Sequence, residues 1–143
     1  MSDRALIRRE TAISVVINMA ISAAFFVAMF GTGGPVAIDR LALDCVPQAF
    51  MVALMGSLVP GLLASRRLGA GRPGHVALGA VATAMLAALI GGGGIWLLAS
   101  AAPSASLPYG QSFALKIAFG GVVAAIATPL AIKRVLRRGA IFA

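Results

Sequence analysis

Seven polar residues stand where the chain is otherwise apolar, and any chemistry has to begin with them. Ser14, Asn18 and Ser22 recur every fourth residue, so on a helix they share one face. Asp44 and Gln48 have the same spacing, and Gln111 and Lys116 follow in the second half. An amide-and-hydroxyl stripe can hydrogen-bond a neighbouring helix, or it can line a pocket for a solute or lipid. Asp44 is also placed to cap a helix that has Pro47 in its first turn. A Lys116–Asp44 pair would neutralise two charges near a membrane interface, with Asp39 as the alternative acid and snorkelling as the alternative fate of the lysine. None of this makes a nucleophile–base–orienter set, so no catalytic residue is assigned.

Absences narrow the chemistry further. The one cysteine, Cys45, cannot form a disulfide within the chain and excludes a CxxC redox or zinc site. It reads as a small apolar filler, with a bridge to a second chain as the alternative. The one histidine, His75, lies between apolar stretches, so axial haem ligation within them is excluded. Neither a Walker A sequence nor HExxH occurs. No carboxylate falls midway along an apolar stretch, which argues against the proton-coupled exchange of small four-span drug exporters. The expectation is no cofactor and no metal.

These residues sit in a chain of 143, of which 60% are hydrophobic and 11% charged. Soluble domains carry roughly 25% charged residues. A mean hydropathy of +0.99 is too apolar for a soluble fold of this size. It is also the opposite of a disordered chain. The expected fold class is therefore an all-α membrane protein with four transmembrane helices in a single domain.

Four apolar stretches carry that reading: residues 11–30, 48–65, 76–99 and 113–132. The first exceeds the 7–15 residues of a secretory h-region, so it reads as a retained span. The second is short, and predicts local thinning or an upright helix. The third is interrupted by Gly91–Gly94. Spanning segments must satisfy their own backbone, and the ~10-residue alternation of barrel strands is missing, so each is a helix. Arg4, Arg8, Arg9, Arg66, Arg67, Arg72, Lys133, Arg134, Arg137 and Arg138 flank these stretches at alternate ends. They account for ten of the twelve basic residues and place both termini and the middle loop in the cytoplasm. The net charge of +8 is thus an orientation signal, and nucleic acid is not an expected partner.

The two halves echo each other, as hairpins 11–65 and 76–135. Phe30-Gly31-Thr32-Gly33-Gly34 matches Ile90-Gly91-Gly92-Gly93-Gly94, and Gln48-Ala49-Phe50 matches Gln111-Ser112-Phe113. Pro60 precedes Arg66-Arg67 much as Pro129 precedes Lys133-Arg134, although the Gln-to-Pro spacing is 12 residues in one half and 18 in the other. Two similar hairpins imply a parallel 2+2 repeat about an axis along the membrane normal. On the late proline and basic pair, each half resembles a family of small two-span bacterial membrane proteins with no assigned function. The resemblance implies a bacterial inner membrane and no catalytic residues.

Small residues recur at helical spacing on every span. They include Ala20, Ala24 and Ala28 on the first, Gly56 and Gly61 on the second, Gly79 and Gly91 on the third and Gly120 on the fourth. In lipid such ridges let backbones approach, within the bundle or against a partner. Pro60 and Pro129 predict kinks, with Ser57 and Thr128 placed to satisfy the freed carbonyls. The functional expectation is a non-enzymatic accessory or scaffold subunit that packs, in the lipid bilayer, against a larger membrane complex or against itself. The alternative is a small-solute or lipid transporter, which would require a polar cavity lined by Asn18 and the proline kinks.

Overall fold

A computed structural model describes residues 3–69, 73–101 and 105–141. Arg72 and the Arg138 side chain, both in the basic clusters, lie outside the described parts. Among the described residues four helical segments are long and apolar enough to cross a membrane. They are α1 (Asp3–Phe30), α2 (Ile38–Leu68), a third span, and α5 (Tyr109–Ile141). The third span joins α3 (Pro73–Leu86) to α4 (Gly93–Ala99) through a π-helical stretch, Ala87–Gly92.

The helices start earlier than the apolar stretches suggest. Helix α2 begins at Ile38, because Leu41, Ala42, Cys45, Ala49, Val52 and Ala53 continue one buried face through Pro47. At 31 residues and about 46 Å it is neither short nor in need of bilayer thinning. Asp44 consequently does not cap it; the N-cap is Ala37, without a side-chain bond. Pro47 lies well inside the helix. Helix α1 ends where Gly31 takes a left-handed conformation (φ 73°) and returns its N–H to the Val27 carbonyl, 2.9 Å. Gly69 ends α2 in the same way, at φ 59°.

The packing interleaves the two halves. Helix α5 runs along both α1 and α2, and α2 carries the third span on another side. Helices α1 and α2, neighbours in sequence, make few contacts, as do α3 and α5. A two-residue antiparallel pairing of β1 (Val36–Ala37) with β2 (Ser106–Leu107) ties the two loops at one end. The sequence reading did not anticipate it. Above it Phe26, Phe30, Tyr109 and Phe113 close an aromatic plug, with Phe26 centroids 4.9–5.5 Å from the others. The Tyr109 hydroxyl donates to the Gly31 carbonyl at 3.0 Å.

The basic clusters gather at the opposite end. Arg67 on α2 meets Glu10 on α1 at 3.4 Å. Arg134 on α5 donates to the Thr83 hydroxyl at 2.6 Å and to the Gly79 carbonyl at 3.3 Å. Between the two ends α1 is inside-out relative to a helix of a soluble bundle. Helix α1 buries Ser14, Asn18, Ser22 and Phe26 and turns Ile13, Val16, Ile17, Ile21 and Phe25 outward. Ala20, Ala24 and Ala28, read as a packing ridge, are exposed. The polar stripe occupies the contact face in their place.

Candidate polar site between three helices

Lys116 is the most buried charge among the described residues, with 1% of its side chain exposed. It lies seven residues into α5, about 10 Å below the helix start, one turn deeper than the apolar stretch implied. It does not snorkel outward. Its Nζ forms an ion pair with Asp44 Oδ2 on α2, and Asp44 keeps 25% of its side chain exposed. Asp39, the alternative acid, is exposed.

Gln48, one turn below Asp44, connects this pair to α1. Its Nε2 donates to Ser22 Oγ at 2.7 Å and to the Lys116 carbonyl at 3.2 Å. Gly120 makes the junction possible, because a Cβ there would collide with Ser22 Oγ and stand 3.0 Å from Gln48 Nε2. The cluster is not fully satisfied. Gln48 Oε1 and the nearby Ser112 hydroxyl have no hydrogen-bond partner among the described residues, and Asp44 is the sole acceptor at Lys116 Nζ. Gln111, equated with Gln48 by the repeat, is exposed and takes no part. A shift of one residue makes Ser112 the inward position.

A second junction lies deeper. The Thr128 hydroxyl on α5 donates to Ser14 Oγ on α1 at 2.8 Å, and Gly56 on α2 faces both, its Cβ position 3.3 Å and 3.4 Å from them. Asn18 does not bridge helices; its Nδ2 donates to the Ser14 carbonyl at 2.8 Å and to Ser14 Oγ at 3.3 Å. Thr128 therefore does not serve the carbonyl freed by Pro129, and Ser57 makes no hydrogen bond beside Pro60.

The glycines divide. Gly61 packs on Val76, with its Cβ position 2.8 Å from Cγ1. Gly79 faces open space, and Gly91 meets only the Phe119 ring at 3.8 Å. Neither is a close-packing position. Gly92 is, with its Cβ position 2.5 Å from Val46 Cα and 2.9 Å from the Cys45 carbonyl oxygen. The π-helical turn explains the displacement, since its extra residue rotates the contact face past the 3.6-residue ridge.

Because α1 and α2 stand apart, a cleft of about 470 Å³ opens between them. Its walls are Ile17, Ile21, Phe25, Met51 and Met55, with Asn18 and Pro60 in the lining and Glu10 at one end. It is a mainly apolar groove in which Glu10, Ser14 and Asn18 are the polar lining residues, and Pro129 does not line it. Above it a chamber of about 140 Å³ is lined by Lys116, Asp44, Gln48 and Ser22. Among the described residues no three of His, Cys, Asp and Glu come together as metal ligands. Comparison of the chain with family models, with curated proteins and with solved structures found no match.

Proposed function

We propose that the protein is a non-enzymatic membrane subunit that packs through its outward helix faces against a larger inner-membrane complex or a second copy of itself. The observation that carries this reading is how the interior polar groups are used. Lys116, Asp44, Gln48, Ser22, Ser14 and Thr128 engage one another across α1, α2 and α5. They hold the bundle together, and among the described residues the cleft beside them is walled mainly by apolar side chains. The outward faces are broad and apolar, with Val16 and Leu89 each 67% exposed. The two halves act as a tandem hairpin repeat in a bacterial membrane, with the basic end in the cytoplasm. Labelling Arg67→Cys from the cytoplasmic side alone tests that orientation.

A photo-crosslinker placed at Val16 or at Leu89 in cells tests the packing role. We expect a discrete polypeptide adduct of fixed mass from at least one of the two faces. Lipid adducts alone from both faces, together with solute flux in proteoliposomes of the purified chain, overturn the reading in favour of a transporter.

A further inference from the structure

We infer that α3 and α5 form, at the basic end of the bundle, a site for the phosphate of one anionic glycerophospholipid, held by Arg134. The inference needs only that the helices lie in a bilayer, and does not rest on the packing role. The first ground is a guanidinium that is fixed in place while its charge goes unanswered. Arg134 Nη1 donates to the Thr83 hydroxyl at 2.6 Å and to the Gly79 carbonyl at 3.3 Å. The Thr83 hydroxyl donates in turn to the same carbonyl at 2.8 Å. Both acceptors are neutral, and they engage one nitrogen of a group with five donors in a rigid fork. The chain's four acids are placed elsewhere. Glu10 binds Arg67 and Asp44 binds Lys116. Asp39 lies in the first turn of α2 at the opposite end, and Asp3, in the first turn of α1, forms no ion pair among the described residues. Arg134 is exposed, so a ligand can reach it.

The second ground is the sign of the surroundings. Lys133 and Arg137, on the same helix, are exposed as well. Three neighbouring cations therefore have no carboxylate among them. A phosphodiester accepts the arginine fork through two oxygens. A zwitterionic headgroup would bring an ammonium that finds no acid here, so the complement is a lipid with net negative charge.

Shape and depth agree. Helices α3 and α5 make few contacts, and Arg134 reaches across the gap between them. Gly79 leaves the space beside it open, since a Cβ there meets nothing within 4 Å. Deeper in the membrane the exposed side chains on the two helices are apolar, Ile126 and Leu130 on α5 and Leu86 on α3. Helix α5, 33 residues or about 50 Å long, exceeds a ~30 Å hydrocarbon core by about 10 Å at each end. Arg134 stands seven residues before the last residue of α5, Ile141, or about 10 Å. That is the boundary where lipid phosphates lie, and basic pockets between transmembrane helices suit anionic headgroups.

The test is native mass spectrometry of the full chain released from bilayers of phosphatidylglycerol and phosphatidylethanolamine in equal parts, with identical acyl chains. We expect one phosphatidylglycerol retained per chain, at least about tenfold over phosphatidylethanolamine. Arg134→Gln should cut that retention about tenfold. Arg4→Gln removes an exposed charge from α1 at the same end and should change it by about twofold or less, because salt screens it. Thr83→Val keeps every charge and deletes the hydroxyl that holds the guanidinium, so it should cut retention about threefold. Equal retention of the two lipids overturns the proposal. Equal losses in Arg134→Gln and Arg4→Gln overturn it too, since they would mean diffuse attraction to the whole basic end. Retention unchanged in Thr83→Val, or a photo-crosslinker at Arg137 that labels a polypeptide instead of lipid, also overturns it.

Discussion

Helix α1 and the third span occupy equivalent places in the chain's two halves, yet they are held by different physics. Helix α1 meets its neighbours through side-chain hydrogen bonds, Ser14 to Thr128 and Ser22 to Gln48. The third span meets α2 through backbone approach at Gly92 and small residues such as Ala80 and Ala84. Both answers suit lipid, where apolar contact alone gives helices no reason to associate. They differ in how they tolerate change. A side chain can rotate away from an intruding methyl group, whereas a backbone cannot.

The largest effect should come from the charge pair that anchors the hydrogen-bonded side. Removing one partner of a buried pair costs about 3–5 kcal/mol, and the partial exposure of Asp44 puts Lys116→Met near 3. Unfolding by SDS titration in mixed micelles reads this directly. Adding Asp44→Asn should restore part of the loss, because it removes the stranded charge. Strictly additive effects would mean that the two groups do not sense each other.

Next is the backbone seam. Gly92→Ala places a methyl group 2.5 Å from Val46 Cα and should cost about 2–3 kcal/mol, at the upper end of overpacking. Gly120→Ala on the other side confronts the Ser22 hydroxyl and Gln48 amide, both able to turn, and should cost about 1 kcal/mol. If the two glycines prove equally sensitive, the contrast between the seams fails.

The two seams were also unequally legible in the sequence. Ser14, Asn18 and Ser22 announce their face by spacing alone, because an unbroken α-helix keeps i and i+4 together. Lys116 and Asp44 could be paired on charge and depth. Gly92 could not be singled out from Gly91–Gly94, because the π-helical turn that selects it is set by packing against α2. The early start of α2 was hidden by Pro47, a residue that usually marks a helix's first turn, here overridden by the buried face of Leu41, Ala42 and Cys45. The β1–β2 pairing is two residues per strand, too short to leave a periodic signal. The cleft was invisible for a different reason: it depends on α1 and α2 standing apart, and sequence adjacency suggests contact.

Within the hydrogen-bonded side, the deep junction is weaker than the outer one. Thr128→Val keeps the shape and deletes the donor to Ser14, and interhelical bonds in membranes average about 0.6 kcal/mol, with about 1.7 as a maximum. We expect a loss near 1 kcal/mol in the same titration. Ser14→Ala should lose about as much, and the double variant should lose no more than either alone. Additivity there would assign the stability to separate contacts.

The smallest effect sharpens the comparison most, because its sign is at issue. Gly79 belongs, with Gly91, to the small-residue ridge of the third span, and that ridge predicts a loss on substitution. The structure gives a Cβ at Gly79 no neighbour within 4 Å. The position lies inside α3, where glycine costs about 0.5–1 kcal/mol of helix stability relative to alanine. The contact it does make is through its carbonyl, which accepts from Arg134 and Thr83 and survives the change. Gly79→Ala should therefore raise the unfolding midpoint slightly, by up to about 0.5 kcal/mol after allowance for the membrane's own support of helices. A loss instead would return the ridge to the interface and place a partner or a neighbouring helix against α3.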